Sequence, residues 1–149
     1  MDTISFEVKE FTELSSDELY KILRLRAEVF VVEQDCVYQD IDNKDQKALH
    51  ILGFKNDQII AYTRLFDAGA YFEESSIGRV VVAENERKYG YGHDLIKQSI
   101  EAIKERYDTE EIKISAQCYL KKFYEKHGFT QIGEEYLEDG IPHIAMIRT

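Results

Sequence analysis

Residues 77–103 read IGRVVVAENERKYGYGHDLIKQSIEAI, and the order of residue types within them decides the fold. Val80, Val81 and Val82 form a short β-branched run bounded by charge, which fits a buried strand better than a helix. Gly90 and Gly92 then flank Tyr91, and Leu95, Ile96, Ile100 and Ile103 follow as the apolar stripe of an amphipathic helix. The order is strand, glycine loop, helix. Glycine has no Cβ, so backbone N–H groups can approach a bulky anion closely. The free N–H groups of the helix start add partial positive charge, so such a loop can hold a diphosphate.

Two glycines before a helix can also serve only to let the chain turn. Two nucleotide motifs fail on the residues themselves. A P-loop ends in Gly-Lys-Ser/Thr, whereas His93 and Asp94 follow Gly92, and a dinucleotide fingerprint needs a third small residue where Leu95 stands. Arg87-Lys88-Tyr89-Gly90-Tyr91-Gly92 after a valine-rich strand instead resembles the R/Q-x-x-G-x-G/A loop of the GNAT family of acyl-CoA-dependent N-acetyltransferases. Lys121 to Phe129, KKFYEKHGF, resembles the tyrosine-bearing Y-E-K-x-G-F segment of the same family, in the expected order. Arg26 to Asp42, RAEVFVVEQDCVYQDID, is similar to the R-x-x-V-F-V-V-E-Q…Y-Q-D/E-x-D stretch of its ElaA-like branch, which extends the resemblance nearly to the N-terminus.

The chain as a whole bounds the reading. Its 149 residues with 44% hydrophobic content suffice for one core, and no linker, repeat or biased segment marks a boundary, so a single domain over 1–149 is expected. Cys36 and Cys118 show no C-x-x-C spacing, which predicts free thiols in a reducing cytoplasm. The start MDTISFEVKEF lacks a basic, apolar leader pattern and no apolar run is long enough to span a membrane, so a soluble, cytoplasmic protein with no membrane partner is expected. A net charge of −10 argues against nucleic acid and suits a cationic amine, although solubility alone explains it equally well. Asp40 and Asp42 do not open a calcium loop, because Lys44, Asp45 and Ile51 stand where that loop needs Asp/Asn, Gly and Glu, and no metal is expected.

Ile4, Phe6 and Val8 alternate and predict a strand over about 4–11. Ser15 and Glu18 fit a capping box opening a helix over about 16–32, and Glu33 to Lys47 reads as a loop. Strands follow at 48–55 and 58–66 around a turn at Asn56-Asp57, and an aromatic-acidic loop leads into the valine strand. Beyond the glycine-loop helix come a strand at 111–116, a short helix at 120–126 stopped by Gly128, and strands at 129–136 and 143–147. The order β-α-β-β-β-α-β-α-β-β predicts an α/β (α+β) mixed sheet of six to seven strands with helices on both faces. The GNAT resemblance implies the same arrangement. An exposed edge among the last strands leaves a homodimer open.

The resemblance implies that acetyl-CoA is the co-substrate and that its acyl group passes to a small amine or a peptide amino group by direct attack. It places backbone groups of Val80, Val81 and Val82 against the pantetheine arm, with an amide near Val81 polarising the thioester oxygen. Amides from Lys88 to His93, those of Gly90, Tyr91 and Gly92 among them, would hold the diphosphate, with Arg87, Phe123 and Tyr124 also among the carrier's contacts. Tyr124 matches the tyrosine that hands a proton to the departing thiolate, and Gln117 stands where many family members have a pantetheine-contacting Asn. An alkylammonium must lose a proton before attack, and Glu33, His50 and His143 are the candidate bases. Arg64 and Arg79 fit either a substrate carboxylate or pairing with Asp35, Asp40 or Asp42. Two further readings stay open: an acyl-CoA sensor without turnover, and a domain whose acidic loop recruits a basic protein. A covalent route through Cys118 predicts ping-pong kinetics.

Overall fold

The computed structural model describes residues 3–149. Seven strands, β1 (Ser5–Glu10), β2 (Leu49–Lys55), β3 (Gln58–Phe66), β4 (Ser75–Val82), β5 (Ile112–Gln117), β6 (Thr130–Glu138) and β7 (Ile141–Arg148), form one sheet in the order β1-β2-β3-β4-β5-β7-β6. Every neighbouring pair is antiparallel except β4 and β5, which run parallel. The mixed α/β sheet expected from the sequence is therefore what forms.

Three α-helices, α1 (Ser16–Arg26), α2 (Tyr91–Tyr107) and α3 (Lys121–Glu125), cover its two faces. Side chains alternate across a strand, so Leu52 and Tyr62 join Ile22, Leu25 and Val29 of the α1 layer. Their neighbours Ile51 and Ala61 join Leu95, Ile96 and Ile103 under α2. Each fully buried Ile or Leu contributes roughly 1.5–3 kcal/mol, so both layers are firmly seated.

The capping box opens α1: Ser15 Oγ accepts from the Glu18 amide at 3.0 Å, and Glu18 Oε1 accepts from the Ser15 amide at 2.9 Å. The expected helix over 16–32 changes character part-way. From Ala27 to Glu33 it is a π-helix, with Gln34 N bonded to Val29 O and Cys36 N to Val31 O, five residues back. The wider turns begin where the Arg26 side chain is drawn into a buried ion cluster. The following loop also gains a 3₁₀ turn at Asp45–Lys47.

Both tight hairpins use two residues in the left-handed region, Asn56 and Asp57 (φ 52° and 62°) and Asp139 and Gly140 (φ 51° and 78°). The second turn is shorter than Glu138-Asp139-Gly140, so β6 and β7 each run two residues further toward it than expected.

Two departures from regular pairing shape the centre of the sheet. Parallel pairing of β4 with β5 is limited to Ser75 with Ile112 and Ser76 with Lys113, after which the strands part. On its other edge β4 bulges, so that Arg79 and Val80 oppose Thr63 alone between the Arg64–Gly78 and Tyr62–Val81 pairs. Arg79 takes φ 50° there, a conformation that disfavours any residue with a Cβ.

Candidate active site

The gap between β4 and β5 opens into a cavity of about 130 Å³, enough for the reacting ends of two molecules. Its walls come from both faces of the sheet. Tyr124 belongs to the α2 layer, with Phe123 and Phe129 edge-on to its ring. His143 pairs with Gln117 across β7 and β5, and alternation with Ile144 and Met146 of the α2 layer puts both on the α1 face. Tyr124 and His143 thus line one cavity from opposite sides of the sheet.

Tyr124 is buried, and burial pushes its phenol above the ordinary tyrosine range. Its hydroxyl has no hydrogen-bond partner among the described residues, so the O–H is available to a ligand in the cavity. It holds its proton at neutral pH, as an acid must before it donates. A leaving thiolate in the same apolar surroundings is also made more basic.

His143 Nδ1 lies 2.7 Å from the Ile141 carbonyl, which can only accept, so Nδ1 carries a proton and in the neutral ring Nε2 carries the lone pair. Nε2 is 3.5 Å from Glu138 Oε2. Ser115 Oγ donates to Glu138 Oε1 at 2.9 Å, and since its single proton is committed, Tyr136 O–H donates to Ser115. Tyr136, Ser115 and Glu138 thus form a hydrogen-bonded run that ends beside His143, with Ser115, Glu138 and His143 on the cavity wall. Ser115 and Glu138 were not singled out from the sequence. Only the register of β5, β6 and β7 brings them to His143, and the alternation in IKISAQ was the available signal.

The other two expected bases lie elsewhere. His50 is 1% exposed; its Nε2 donates to the Asp45 carbonyl at 2.9 Å and its Nδ1 accepts from Tyr62 O–H at 2.6 Å, leaving no lone pair free. Burial holds its pKa below the usual histidine range, in spite of the opposing pull of Asp45. It does not line the cavity. Glu33 grips Arg87 with both oxygens, at 2.6 and 2.8 Å, and that hydrogen bonding holds its carboxyl below the usual range against a weaker desolvation effect.

The side chains of Val81 and Val82 are packed in the two cores, and Val80 bridges core and cavity. Ala83 N donates to Ile60 O at 2.8 Å, so alternation turns the Val81 amide toward β3 and the amides of Val80 and Val82 toward the open edge. The open-edge amides nearest Val81 are therefore those of its neighbours Val80 and Val82. Gly90 (φ 73°) starts α2, with no atom within 4 Å of where a Cβ would stand. A Cβ on Gly92 would sit 3.4 Å from Phe123. Phe123 also packs on His93, whose Nδ1 meets His127 Nε2 at 2.9 Å. Burial, with His93 beside it, holds His127 below the usual range. Lys88 lies over Tyr89, and Arg87 donates to the Val82 carbonyl at 3.0 Å. Open backbone edge, glycine turn and helix start therefore follow one another along the chain, an order that suits a long carrier ending in phosphates.

Arg64 and Arg79 also line the cavity, backed by carboxylates. Arg64 Nη1 binds Asp42 at 2.8 Å and Asp45 at 3.1 Å; Arg79 Nε lies 2.7 Å from Asp40, which also holds Arg26 at 2.9 Å. The expected pairing with Asp40 and Asp42 is thus realised, and Asp45 joins it. Burial would raise Asp42, but the Arg64 hydrogen bonds and charge outweigh it and hold its pKa at about 2. Cys36 Sγ donates to the Asp139 carbonyl at 3.5 Å, across the cavity mouth, and Cys118 is a free thiol.

No helix among the described residues is long and apolar enough to cross a membrane. The family described as "Acetyltransferase (GNAT) domain" matches residues 11–149. Protein ElaA of Escherichia coli (strain K12) is 42% identical over 147 residues, covering 97% of this chain and 96% of its own. Among solved structures, an acyl-CoA N-acyltransferase from Pseudomonas aeruginosa superposes with a TM-score of 0.93 at 38% identity, covering 99% of this chain and 100% of its own. Escherichia coli ElaA superposes with a TM-score of 0.92 at 40% identity and the same coverage.

Proposed function

The chain belongs to the GNAT acetyltransferase family, and on that premise we propose that it transfers an acetyl group from acetyl-CoA to a primary amine by direct attack. One observation carries this reading: the cavity at the β4–β5 parting is lined by an unpartnered phenol from one face and a histidine with an oriented lone pair from the other.

Bound acetyl-CoA supplies the thioester. The glycine turn and the start of α2 hold its phosphates, and the open edge of β4 lies along its arm. The Val80 or Val82 amide donates to the thioester oxygen, where negative charge gathers as the carbonyl becomes tetrahedral. His143 Nε2, with Glu138 beside it, takes a proton from the acceptor ammonium. The freed nitrogen attacks the carbonyl carbon, the C–N bond forms and the C–S bond breaks. Tyr124 gives its proton to the sulfur and recovers one as the product amide nitrogen loses its second.

Free-thiol release from acetyl-CoA over polyamines, amino acids, aminoglycosides and lysine peptides, with calorimetric CoA binding on the same preparation, tests the reading. Amine-dependent release supports it. Tight CoA binding without release supports a sensor instead, and absence of CoA binding overturns the assignment of the glycine loop.

A further inference from the structure

We propose that the acceptor is a free amino acid with an apolar or aromatic side chain, its carboxylate held at Arg79 and Arg64 and its amino group at His143 and Glu138. This rests on the acyltransferase reading and names its substrate class.

The cavity is chemically two-ended. At the His143 end, Nε2 offers a lone pair and Glu138 a carboxylate, which suits an ammonium that must shed a proton. At the other end the wall is guanidinium. Arg64 is 1% exposed, yet its buried Nε has no hydrogen-bond partner among the described residues. Arg79 Nε is near Asp40 but not aligned to donate to it, and Nη1 makes no hydrogen bond to the described residues. A buried donor left unmade is costly, and a ligand carboxylate that reached either guanidinium would supply an acceptor.

Charge points the same way. Arg26, Arg64 and Arg79 balance Asp40, Asp42 and Asp45, so the cluster carries no net charge that would repel a zwitterion. Arg64 and Arg79 belong to the cavity lining, whereas Asp40, Asp42 and Asp45 do not. The bulge of β4 keeps Arg79 there in a disfavoured backbone conformation, and Gly78 beside it leaves open space in the wall. Phe66, Tyr71 and Phe72, packed at 5.2 and 4.8 Å between ring centres, form an apolar wall for a side chain.

The test compares leucine with 3-methylbutylamine and phenylalanine with phenethylamine at saturating acetyl-CoA, with rates taken per concentration of unprotonated amine. The amino acids are expected to win by roughly ten- to a hundredfold in kcat/KM. Arg79→Gln keeps a polar side chain at the bulge and is expected to bring that ratio toward one through KM. Equal or better turnover of the carboxylate-free amines overturns the proposal and leaves the acyltransferase reading standing. So does a protein that binds acetyl-CoA by calorimetry yet shows neither turnover nor NMR-detected binding of leucine in the presence of CoA. Failure to bind acetyl-CoA overturns the underlying reading instead. Because the ligand comparison is made on the native protein, it decides the matter even where Arg79→Gln does not fold.

Discussion

Glu33 and Arg87, 54 residues apart, are joined by two hydrogen bonds of 2.6 and 2.8 Å, so the end of the π-helix is tied to the glycine loop. Arg87 also donates to the Val82 carbonyl, which ties the same side chain to the end of β4. Both side chains are substantially exposed, and such pairs stabilise folds little. Glu33→Gln is therefore expected to leave the melting temperature nearly unchanged and to weaken acetyl-CoA binding by up to about fivefold. Collapse of kcat with a lost limb in its pH profile would instead make Glu33 the base.

Tyr124→Phe removes an oxygen that makes no hydrogen bond to the described residues, while the ring keeps its packing on Phe123 and Phe129. Stability and CoA affinity should hold, and kcat should fall by roughly 10²–10⁴-fold if the phenol is the acid. Thiol release and calorimetry on one preparation separate the two. Undiminished kcat would remove Tyr124 from the chemistry.

Gly90 sits at φ 73° with open space where a Cβ would point. Gly90→Ala should cost about 1–2 kcal/mol from the left-handed backbone alone. Its methyl would also enter the space proposed for the phosphates, so CoA affinity should fall by more than stability explains. Chemical denaturation paired with calorimetry measures both. A loss of stability with unchanged affinity would move the diphosphate elsewhere.

Much of this was legible along the chain, because it depends on residues near in sequence. The valine strand, Gly90 and the stripe from Leu95 to Ile103 each announce their own geometry, and the Ser15–Glu18 capping box is a four-residue signal. What was not legible depends on register. Ser115 and Glu138 become neighbours of His143 only once β5, β6 and β7 are paired. His50 looks like a free base until Tyr62, twelve residues on, is seen to fill its lone pair. The π-helix was likewise hidden, since its apolar pattern from Ala27 to Val32 reads as ordinary helix.

The buried ion cluster sets an acid limit. Arg26 is fully buried between Asp40 and Asp45, and Arg26→Met should cost roughly 3–5 kcal/mol because those carboxylates lose a partner. Asp42 contributes in the depressed direction: its support is complete above the ordinary carboxyl range and fades as pH falls through about 2. Holding the carboxyl at about 2 rather than 3.8 corresponds to about 2 kcal/mol. Denaturant titrations from pH 5 to pH 2 should show Asp42→Asn losing less stability than the parent over that interval. An equal loss would mean that Asp42 is not held down by Arg64.

His143 offers the sharpest division between chemistry and packing. Its Nδ1 bond to the Ile141 carbonyl fixes the ring, so His143→Asn alters both orientation and the proton acceptor, whereas Glu138→Gln leaves the imidazole in place. If Nε2 takes the proton, His143→Asn should lower kcat by roughly 10²–10⁴-fold, and Glu138→Gln should lower it less. Acetyl-CoA affinity should survive both, because both residues belong to β6 and β7 and neither to the glycine loop or the start of α2. A base role further requires that the loss narrow for acceptor amines of lower basicity, which reach the unprotonated state without help. A uniform loss across amines of different basicity would make His143 a positioning residue and leave the proton to water.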